Sequence, residues 1–201
     1  RESTLWVELI MAKPKALILL PGAGGSSGHK TFLEIEKNLS PFPIIRQEFG
    51  YRKLGKKWPP KVPSLIGEVG EIINTSRREL KIKSPESVLI GGRSFGGRVC
   101  SVAVSEGTVA AGLVLLSYPL HPPGKPENLR TEHFPKIKIP CLFISSDNDP
   151  FGNPEEFASN LKLIDAPVAS LFIAGGGHNP ASQRHLKEIS DAISQWMTTF
   201  I

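Results

Sequence analysis

The sequence predicts an α/β fold, a three-layer α/β/α sandwich in which helices cover both faces of a mainly parallel sheet. Short apolar runs such as 15–20 and 113–117 are typical of strands buried on both faces of such a sheet. Segments with helical spacing of apolar residues lie between these runs, so strand and helix alternate along the chain. With 201 residues, 40% of them hydrophobic, and no internal repeat, the chain is expected to form one domain over 1–201.

The strands follow from the apolar runs taken in chain order. The segment 4–10 alternates only weakly between apolar and polar residues and would form an edge strand. The run at 15–20 is ended by Pro21-Gly22, where a loop begins. Further strands are expected at 43–49, 88–90, 113–117, 141–145 and 168–174. The sheet should therefore contain about six or seven strands.

Helices are expected between these strands and after the last of them. Ser64 is expected to cap the second helix, because a serine hydroxyl can accept from the free amides of a first turn. The last helix is amphipathic, with Leu186, Ile189, Ile193 and Trp196 on one face. The helices are expected at 31–39, 64–80, 95–105, 154–163 and 186–200.

Two long irregular segments interrupt this alternation. The segment 50–63 is basic and rich in proline, and 118–139 is a loop with five prolines. In doubly wound sheets, functional groups gather in the loops at the carboxyl ends of the strands. The loops in which chemistry is expected are therefore 21–30, 50–63, 91–97, 118–139, 146–153 and 175–180.

The formal net charge of +5 is modest, and most basic residues are scattered. One local cluster comprises Arg46, Arg52, Lys53, Lys56 and Lys57. Nucleic-acid binding usually involves a denser basic stripe with interleaved aromatic residues, so that function is disfavoured. The cluster is interpreted either as a solvated surface or as a positive rim that attracts an anionic substrate.

The two cysteines, Cys100 and Cys141, lie far apart in apolar segments and are expected to be buried free thiols. Because nothing indicates a disulfide framework, a reducing compartment is favoured, the cytoplasm or alternatively the nucleus. No apolar run approaches the ~20 residues of a membrane span. The segment 1–10 contains acidic residues and lacks the pattern of a signal peptide.

The sequence G-R-S-F-G at 92–96 lies where a predicted strand passes into a predicted helix. Glycines on either side of Ser94 allow the tight turn that holds a serine Oγ clear of a sheet. The amides at the start of the following helix would then lie beneath a developing negative charge. As a bare pattern G-x-S-x-G is weak, but in this setting it indicates a nucleophile rather than a simple turn serine.

A serine hydroxyl needs a base to take its proton, and the base needs a carboxylate to orient it. His178 follows three glycines after one late strand, and Asp149 follows the strand before it. The chain order Ser94, Asp149, His178 is the order that this arrangement requires. Asp147 competes with Asp149 for the carboxylate role, and either could simply cap a turn before Pro150.

The backbone amides of Phe95 and Ala23 are the candidate donors of an oxyanion hole. Phe95 directly follows Ser94, and Ala23 belongs to the glycine-rich loop P-G-A-G-G at 21–25. Four further side chains are candidates for substrate contact or for plain loop roles, namely His29, Arg93, Tyr118 and His121.

The remaining polar residues and the glycines of 22–28 are interpreted as structural, without a catalytic or ligand-binding function. Asp165 is expected on the surface, His185 is expected to be solvated, and nothing marks His133 for a function. No set of histidines has a familiar metal-ligand spacing, so no metal is expected. The glycines of 22–28 lack the G-x-G-x-x-G register of a dinucleotide site, so no cofactor is expected.

Several longer stretches carry a family resemblance. They read "LPGAGGSS" (20–27), "YRKLGKK" (51–57), "IGGRSFGGRV" (90–99), "SYPLHPPGKPENLR" (117–130) and "DPFG" (149–152). On these, the chain resembles a small α/β-hydrolase of the dienelactone-hydrolase-like kind. More narrowly, it is similar to a domain shared by a testis-expressed vertebrate protein, a histone acetyltransferase complex subunit and many bacterial proteins.

The resemblance implies a hydrolase fold with Ser94, Asp149 and His178 as a catalytic triad. Many members of the wider superfamily have His-Gly where this chain has Pro21-Gly22, and the antiparallel strands that open larger hydrolases are mostly missing here.

The expected function is that of a serine hydrolase acting on a small ester, thioester or amide through an acyl-enzyme. One alternative is a catalytically silent hydrolase-fold protein that binds or scaffolds, with the loop 118–139 covering the site. A second is a binder of nucleic acid or of an anionic surface that uses the basic cluster within 46–57.

Overall fold

The computed structural model describes residues 13–200, which form a six-stranded sheet with the order β2-β1-β3-β4-β5-β6. Every neighbouring pair of strands is parallel. The strands are β1 (Ala16–Leu20), β2 (Ile44–Arg46), β3 (Val88–Arg93), β4 (Gly112–Leu116), β5 (Cys141–Ser146) and β6 (Val168–Ile173). The predicted α/β class is confirmed, whereas the edge strand expected at 4–10 lies outside the described residues.

Within residues 13–200, six α-helices and four short 3₁₀ helices lie between the strands or, in the case of the last α-helix, after them. The α-helices are α1 (Lys30–Leu39), α2 (Gly50–Lys53), α3 (Ile66–Glu79), α4 (Phe95–Ser105), α5 (Pro154–Asn160) and α6 (Gln183–Met197). The 3₁₀ helices are Val62–Leu65, Pro85–Ser87, Phe134–Lys136 and Leu161–Leu163. Of these helices in the described part of the chain, none is long and apolar enough to cross a membrane.

Alternation along the strands builds the three layers. In β1, Ile18 and Leu20 contribute to the core shared with α3 and α4, whereas Leu17 and Leu19 contribute to the core shared with α1 and α6. All four side chains are fully buried. A strand with helices on both faces buries successive side chains on opposite sides, which explains its continuous apolar sequence.

Some element boundaries differ from the prediction. Ser64 lies within a 3₁₀ turn and its hydroxyl donates to the Lys61 carbonyl, so Leu65 rather than Ser64 precedes α3. Helix α6 begins three residues early because Ser182 caps it by accepting from the His185 amide. His185 is therefore buried in the first turn, and the prediction that it is solvated was wrong.

Candidate active site

Ser94 occupies the turn between β3 and α4, at the carboxyl edge of the sheet. Its backbone has φ 51° and ψ −118°, a conformation that side chains rarely adopt. The turn lies directly against the end of β1. A Cβ on either Gly92 or Gly96 would stand 2.3 Å from the Leu20 carbonyl oxygen. Glycine is therefore required at both positions by close backbone contact, and this contact holds the serine in its strained conformation.

Three side chains that are distant in sequence form one chain of contacts. The Oγ atom of Ser94 lies 2.8 Å from Nε2 of His178. The other ring nitrogen of His178, Nδ1, lies 2.9 Å and 3.0 Å from the two carboxylate oxygens of Asp149. The Asp149 side chain is only 1% exposed, and that of His178 is 20% exposed. A hydroxyl and an imidazole that line a cleft are thus backed by a buried carboxylate.

The neighbouring Asp147 has a different contact from Asp149. Its carboxylate accepts a hydrogen bond of 2.9 Å from the Gly175 amide, and Asn148 Oδ1 accepts one of the same length from Gly177. These bonds tie the glycine loop that carries His178 to the end of β5. The structure therefore brings Asp149 to His178 and uses Asp147 to hold the loop backbone.

Two further residues fix the position of His178. The Phe151 ring lies against the imidazole, with 4.1 Å between ring centroids. Arg93 Nη2 donates a 2.6 Å hydrogen bond to the His178 carbonyl oxygen. Burial lowers the pKa of Arg93, while the nearby Asp149 carboxylate acts in the opposite direction. Sequence reasoning named Arg93 as a substrate-contact candidate and missed Phe151, although the quoted "DPFG" stretch contains it.

Ala23, one of the two candidate oxyanion donors, lies in the glycine-rich loop after β1, and Phe95, the other, is the first residue of α4. Within 13–200, neither backbone amide donates a hydrogen bond to another protein group. The Ala23 carbonyl accepts a 3.2 Å bond from the Tyr51 hydroxyl, which holds the glycine-rich loop. The Phe95 ring packs on Phe49, with 6.2 Å between centroids.

The cleft beside Ser94 has a volume of about 390 Å³. It is lined by Gly22, Ala23, Gly24, Gly25, His29, Arg93, Ser94, Phe151 and His178. His29 is among these lining residues, and its Nδ1 accepts from the Thr31 amide at the start of α1. Its pKa is lowered by burial and by the Arg93 charge, while a hydrogen bond with Asn179 acts in the opposite direction. The neutral imidazole is thereby favoured.

Tyr118 and His121 do not line this cleft. Tyr118 is fully buried, packs on Phe134 and Phe143, and donates a 2.7 Å bond to the Arg130 carbonyl. His121 is buried, with Nε2 placed 3.2 Å from a Glu156 carboxylate oxygen. The structure therefore places these two candidates in the packing of the loop 118–139 rather than beside Ser94.

No residue of that loop is among the residues that line the cleft. His133, for which no function was predicted, is buried with its Nε2 placed 2.8 Å from Ser101 Oγ. Both cysteines are buried free thiols, and burial raises the pKa of Cys141 to about 12. Across the described chain, no group of three or more His, Cys, Asp or Glu side chains could hold a metal ion.

Known structures share this architecture. Est1E from Butyrivibrio proteoclasticus has a TM-score of 0.72 at 14% identity, covering 94% of this chain and 89% of that one. Dienelactone hydrolase from Anabaena variabilis has a TM-score of 0.66 at 15% identity, covering 94% and 87%. SOBER1 from Arabidopsis thaliana has a TM-score of 0.59 at 19% identity, covering 90% and 98%.

At these identities the likeness shows the fold. The family described as "Alpha/beta hydrolase domain" matches residues 13–200, which include the whole sheet and every residue of the cleft. The chain therefore belongs to the α/β-hydrolase domain family.

Proposed function

We propose that the protein is a serine hydrolase that cleaves ester or thioester bonds of small molecules through an acyl-enzyme. The observation that supports this most directly is the line of contacts from Ser94 Oγ through His178 to the buried Asp149 carboxylate. A 2.8 Å contact lets the imidazole take the hydroxyl proton, and the carboxylate stabilises the imidazolium that forms.

The proposed reaction has two stages. Ser94 Oγ bonds to the carbonyl carbon while His178 takes its proton, and the resulting oxyanion then collapses. The bond to the leaving alcohol or thiol breaks, and His178 returns the proton to that group. Water, deprotonated by the same imidazole, then releases the acid and restores Ser94.

The amides of Ala23 and Phe95 would hold the oxyanion. Both lack a protein acceptor within the described residues, and Phe95 begins an eleven-residue helix whose positive end points at the site. Preorganised donors of this kind typically contribute about 10²–10³-fold each to the rate.

The size of the cleft and the comparison with Est1E support a small acyl substrate. A cleft of about 390 Å³ lies in the range in which proteins bind small molecules. Est1E, which shares the fold, has been solved with ferulic acid bound, a small carboxylic acid in that protein. Two buried free thiols, Cys100 and Cys141, support a reducing compartment such as the cytoplasm as the place of action.

A fluorophosphonate probe, which labels activated serines, tests the proposal. We expect stoichiometric labelling of the wild-type protein and none of Ser94→Ala, with short p-nitrophenyl esters turned over only by the former. Ser101→Ala is the matched control, because Ser101 also contacts a histidine at 2.8 Å but is fully buried. Absent labelling of folded wild-type protein would reject the proposal and favour a binding role for the same fold.

A further inference from the structure

The excess positive charge of the protein is concentrated in one short segment, residues 52–61, here called the basic loop. It contains Arg52, Lys53, Lys56, Lys57 and Lys61, and no acidic residue occurs from 49 to 67. Outside these five cations, the remaining 19 Lys and Arg are balanced by 19 Asp and Glu. The net charge of +5 therefore has the same magnitude as the charge of the basic loop.

The basic loop also exposes two large apolar side chains. Leu54 is 76% exposed and Trp58 is 72% exposed, more than any other large hydrophobic residue in the described chain. The Lys57 ammonium lies 5.5 Å from the centroid of the Trp58 ring. A Trp, a Leu and several lysines on one exposed segment form an amphipathic surface that leaves its apolar groups in water.

No carboxylate of the described structure forms an ion pair with these five cations. The basic loop takes part in none of the ion pairs within 13–200. Arg46, which the sequence grouped with this cluster, instead pairs with Glu36 at 2.8 Å. The five loop cations are therefore available to an external anionic surface.

The basic loop begins beside the candidate active site. Its two flanking residues, Tyr51 and Val62, are buried, so the exposed segment is held at both ends. The Tyr51 hydroxyl donates to the Ala23 carbonyl, and Phe49 packs on Phe95. The element that leads into the loop thus contacts both candidate oxyanion residues, at the carboxyl edge where the cleft opens.

We propose that the basic loop docks the protein on an anionic lipid surface, with Leu54 and Trp58 inserted between the headgroups. Lysines gain electrostatic attraction at such a surface, and tryptophan is favoured at the interface between headgroups and acyl chains. A second step, which rests on the proposed function, is that the docked cleft receives acyl esters carried in the lipid layer.

The chemistry of the basic loop favours lipid over nucleic acid. Four of its five cations are lysines, which act as hydrated point charges rather than as the planar fork that reads bases. Residues 52–61 contain no Asn, Gln, Ser or Thr that could hydrogen-bond to bases or sugars. The exposed aliphatic Leu54 suits insertion among acyl chains and has no counterpart in phosphate recognition.

Sedimentation with lipid vesicles tests the docking step on the full chain. We expect binding to phosphatidylcholine vesicles containing about 30 mol % phosphatidylserine and negligible binding to phosphatidylcholine alone. Binding should weaken strongly between about 0.1 M and about 1 M NaCl. Absent binding to the anionic vesicles, or equal binding to both vesicle types, would overturn the proposal.

Substitutions identify the surface that binds. Joint replacement of Lys53, Lys56 and Lys57 by Gln should weaken vesicle binding about 100-fold. The matched control replaces three exposed lysines elsewhere, Lys83, Lys125 and Lys162, and should leave binding unchanged. Equal losses in the two triple variants, or tighter binding of wild-type protein to a single-stranded oligonucleotide than to the anionic vesicles, would reject lipid docking.

The apolar contribution is tested by Leu54→Ser with Trp58→Ser, for which we expect about a 10-fold loss of vesicle binding. Leu163→Ser, at a 45% exposed leucine away from the loop, is the control and should bind as wild type. An unchanged affinity in the double variant would exclude insertion.

Activity measurements separate the two steps. The Lys53, Lys56 and Lys57 variant should keep turnover of soluble p-nitrophenyl esters and lose turnover of the same ester on a vesicle-bound acyl chain. Equal turnover of the vesicle-bound ester by this variant and wild type would overturn the delivery step. Vesicle binding by a wild-type protein that fails to react with a fluorophosphonate would reject the proposed function while leaving docking supported.

Discussion

Helix α4 takes part in two serine–histidine contacts of the same length, yet their surroundings differ. Ser94, which precedes the helix, lies 2.8 Å from His178, and Ser101, two turns later, lies 2.8 Å from His133. The first contact lies in a cleft and continues to Asp149. The second is buried in the core. The contact distance alone therefore says little about chemistry.

Three features separate the two pairs. Behind His178 stands a carboxylate, whereas His133 has no carboxylate within hydrogen-bond distance in the described structure. Ser101 is fully buried in the interior of helix α4, and its Oγ also donates to the Arg98 carbonyl. Ser94 has positive φ and no side-chain capping bond, although it occupies a cap position. Its hydroxyl is thus left for His178.

The largest predicted effect is that of removing the Asp149 carboxylate, which distinguishes the Ser94–His178 pair from the Ser101–His133 pair. Asp149→Asn should lower kcat/KM for p-nitrophenyl esters by about 10⁴-fold, because the amide can no longer stabilise an imidazolium and favours the wrong tautomer. Asp147→Asn is the control, since an amide oxygen can still accept from Gly175. Its activity should stay within about 10-fold of wild type.

Comparable losses in the two Asp variants would contradict this assignment of roles. Circular dichroism of both proteins separates a catalytic loss from unfolding. Activity retained by folded Asp149→Asn would mean that the Ser94–His178 pair is no more dependent on a carboxylate than the Ser101–His133 pair.

The second prediction concerns the close backbone contact at the Ser94 turn, a feature that the Ser101–His133 pair does not need. Gly96→Ala places a Cβ 2.3 Å from the Leu20 carbonyl oxygen and 2.5 Å from that of Pro21. Because both contacts are with backbone, we expect a loss of about 3–4 kcal/mol in the free energy of unfolding. Urea denaturation measures it.

Gly70→Ala in the middle of α3 is the matched control. A Cβ there meets no atom within 4 Å, so the substitution should stabilise the protein by about 0.5–1 kcal/mol through helix propensity. A Gly96→Ala protein as stable as wild type would show that the close contact at the Ser94 turn is not required.

The fold and the convergence of Ser94, His178 and Asp149 were predictable because the strands and the loops that follow them can be recognised from local patterns. Continuous apolar runs gave six strands correctly, and their carboxyl ends brought the loops of Ser94, Asp149 and His178 to one edge. The glycines flanking the serine indicated close backbone contact, which Gly92 and Gly96 show.

Side-chain direction within long loops was not predictable from the sequence. Tyr118 and His121 follow β4 and so lie at the correct edge of the sheet, but their side chains turn into the packing of the loop. Phe151 and Tyr51 acquire their places only through tertiary contacts with His178 and Ala23. Such contacts depend on the course of two neighbouring segments, which no single segment encodes.

The smallest predicted effect concerns the buried Ser101–His133 pair. It would appear in the pH dependence of the free energy of unfolding rather than in the activity. Burial lowers the pKa of His133 to about 4, from 6.5, with Arg98 acting in the same direction and Glu132 opposing it. The unfolded chain therefore takes up a proton below pH 6.5, whereas the folded protein does so only near pH 4. The His133 contribution to stability is complete above pH 6.5 and is lost as the pH falls toward 4.

Urea unfolding at a series of pH values measures this contribution, which we expect to total about 3 kcal/mol between pH 6.5 and 4. His133→Gln is the control, because glutamine can still hydrogen-bond to Ser101 but does not titrate. The difference in unfolding free energy between the two proteins should narrow as the pH falls through this window. A difference that stays constant with pH would mean that His133 is protonated as readily in the folded protein as in the unfolded chain. Burial of the Ser101–His133 pair would then not distinguish its histidine from that of the Ser94–His178 pair.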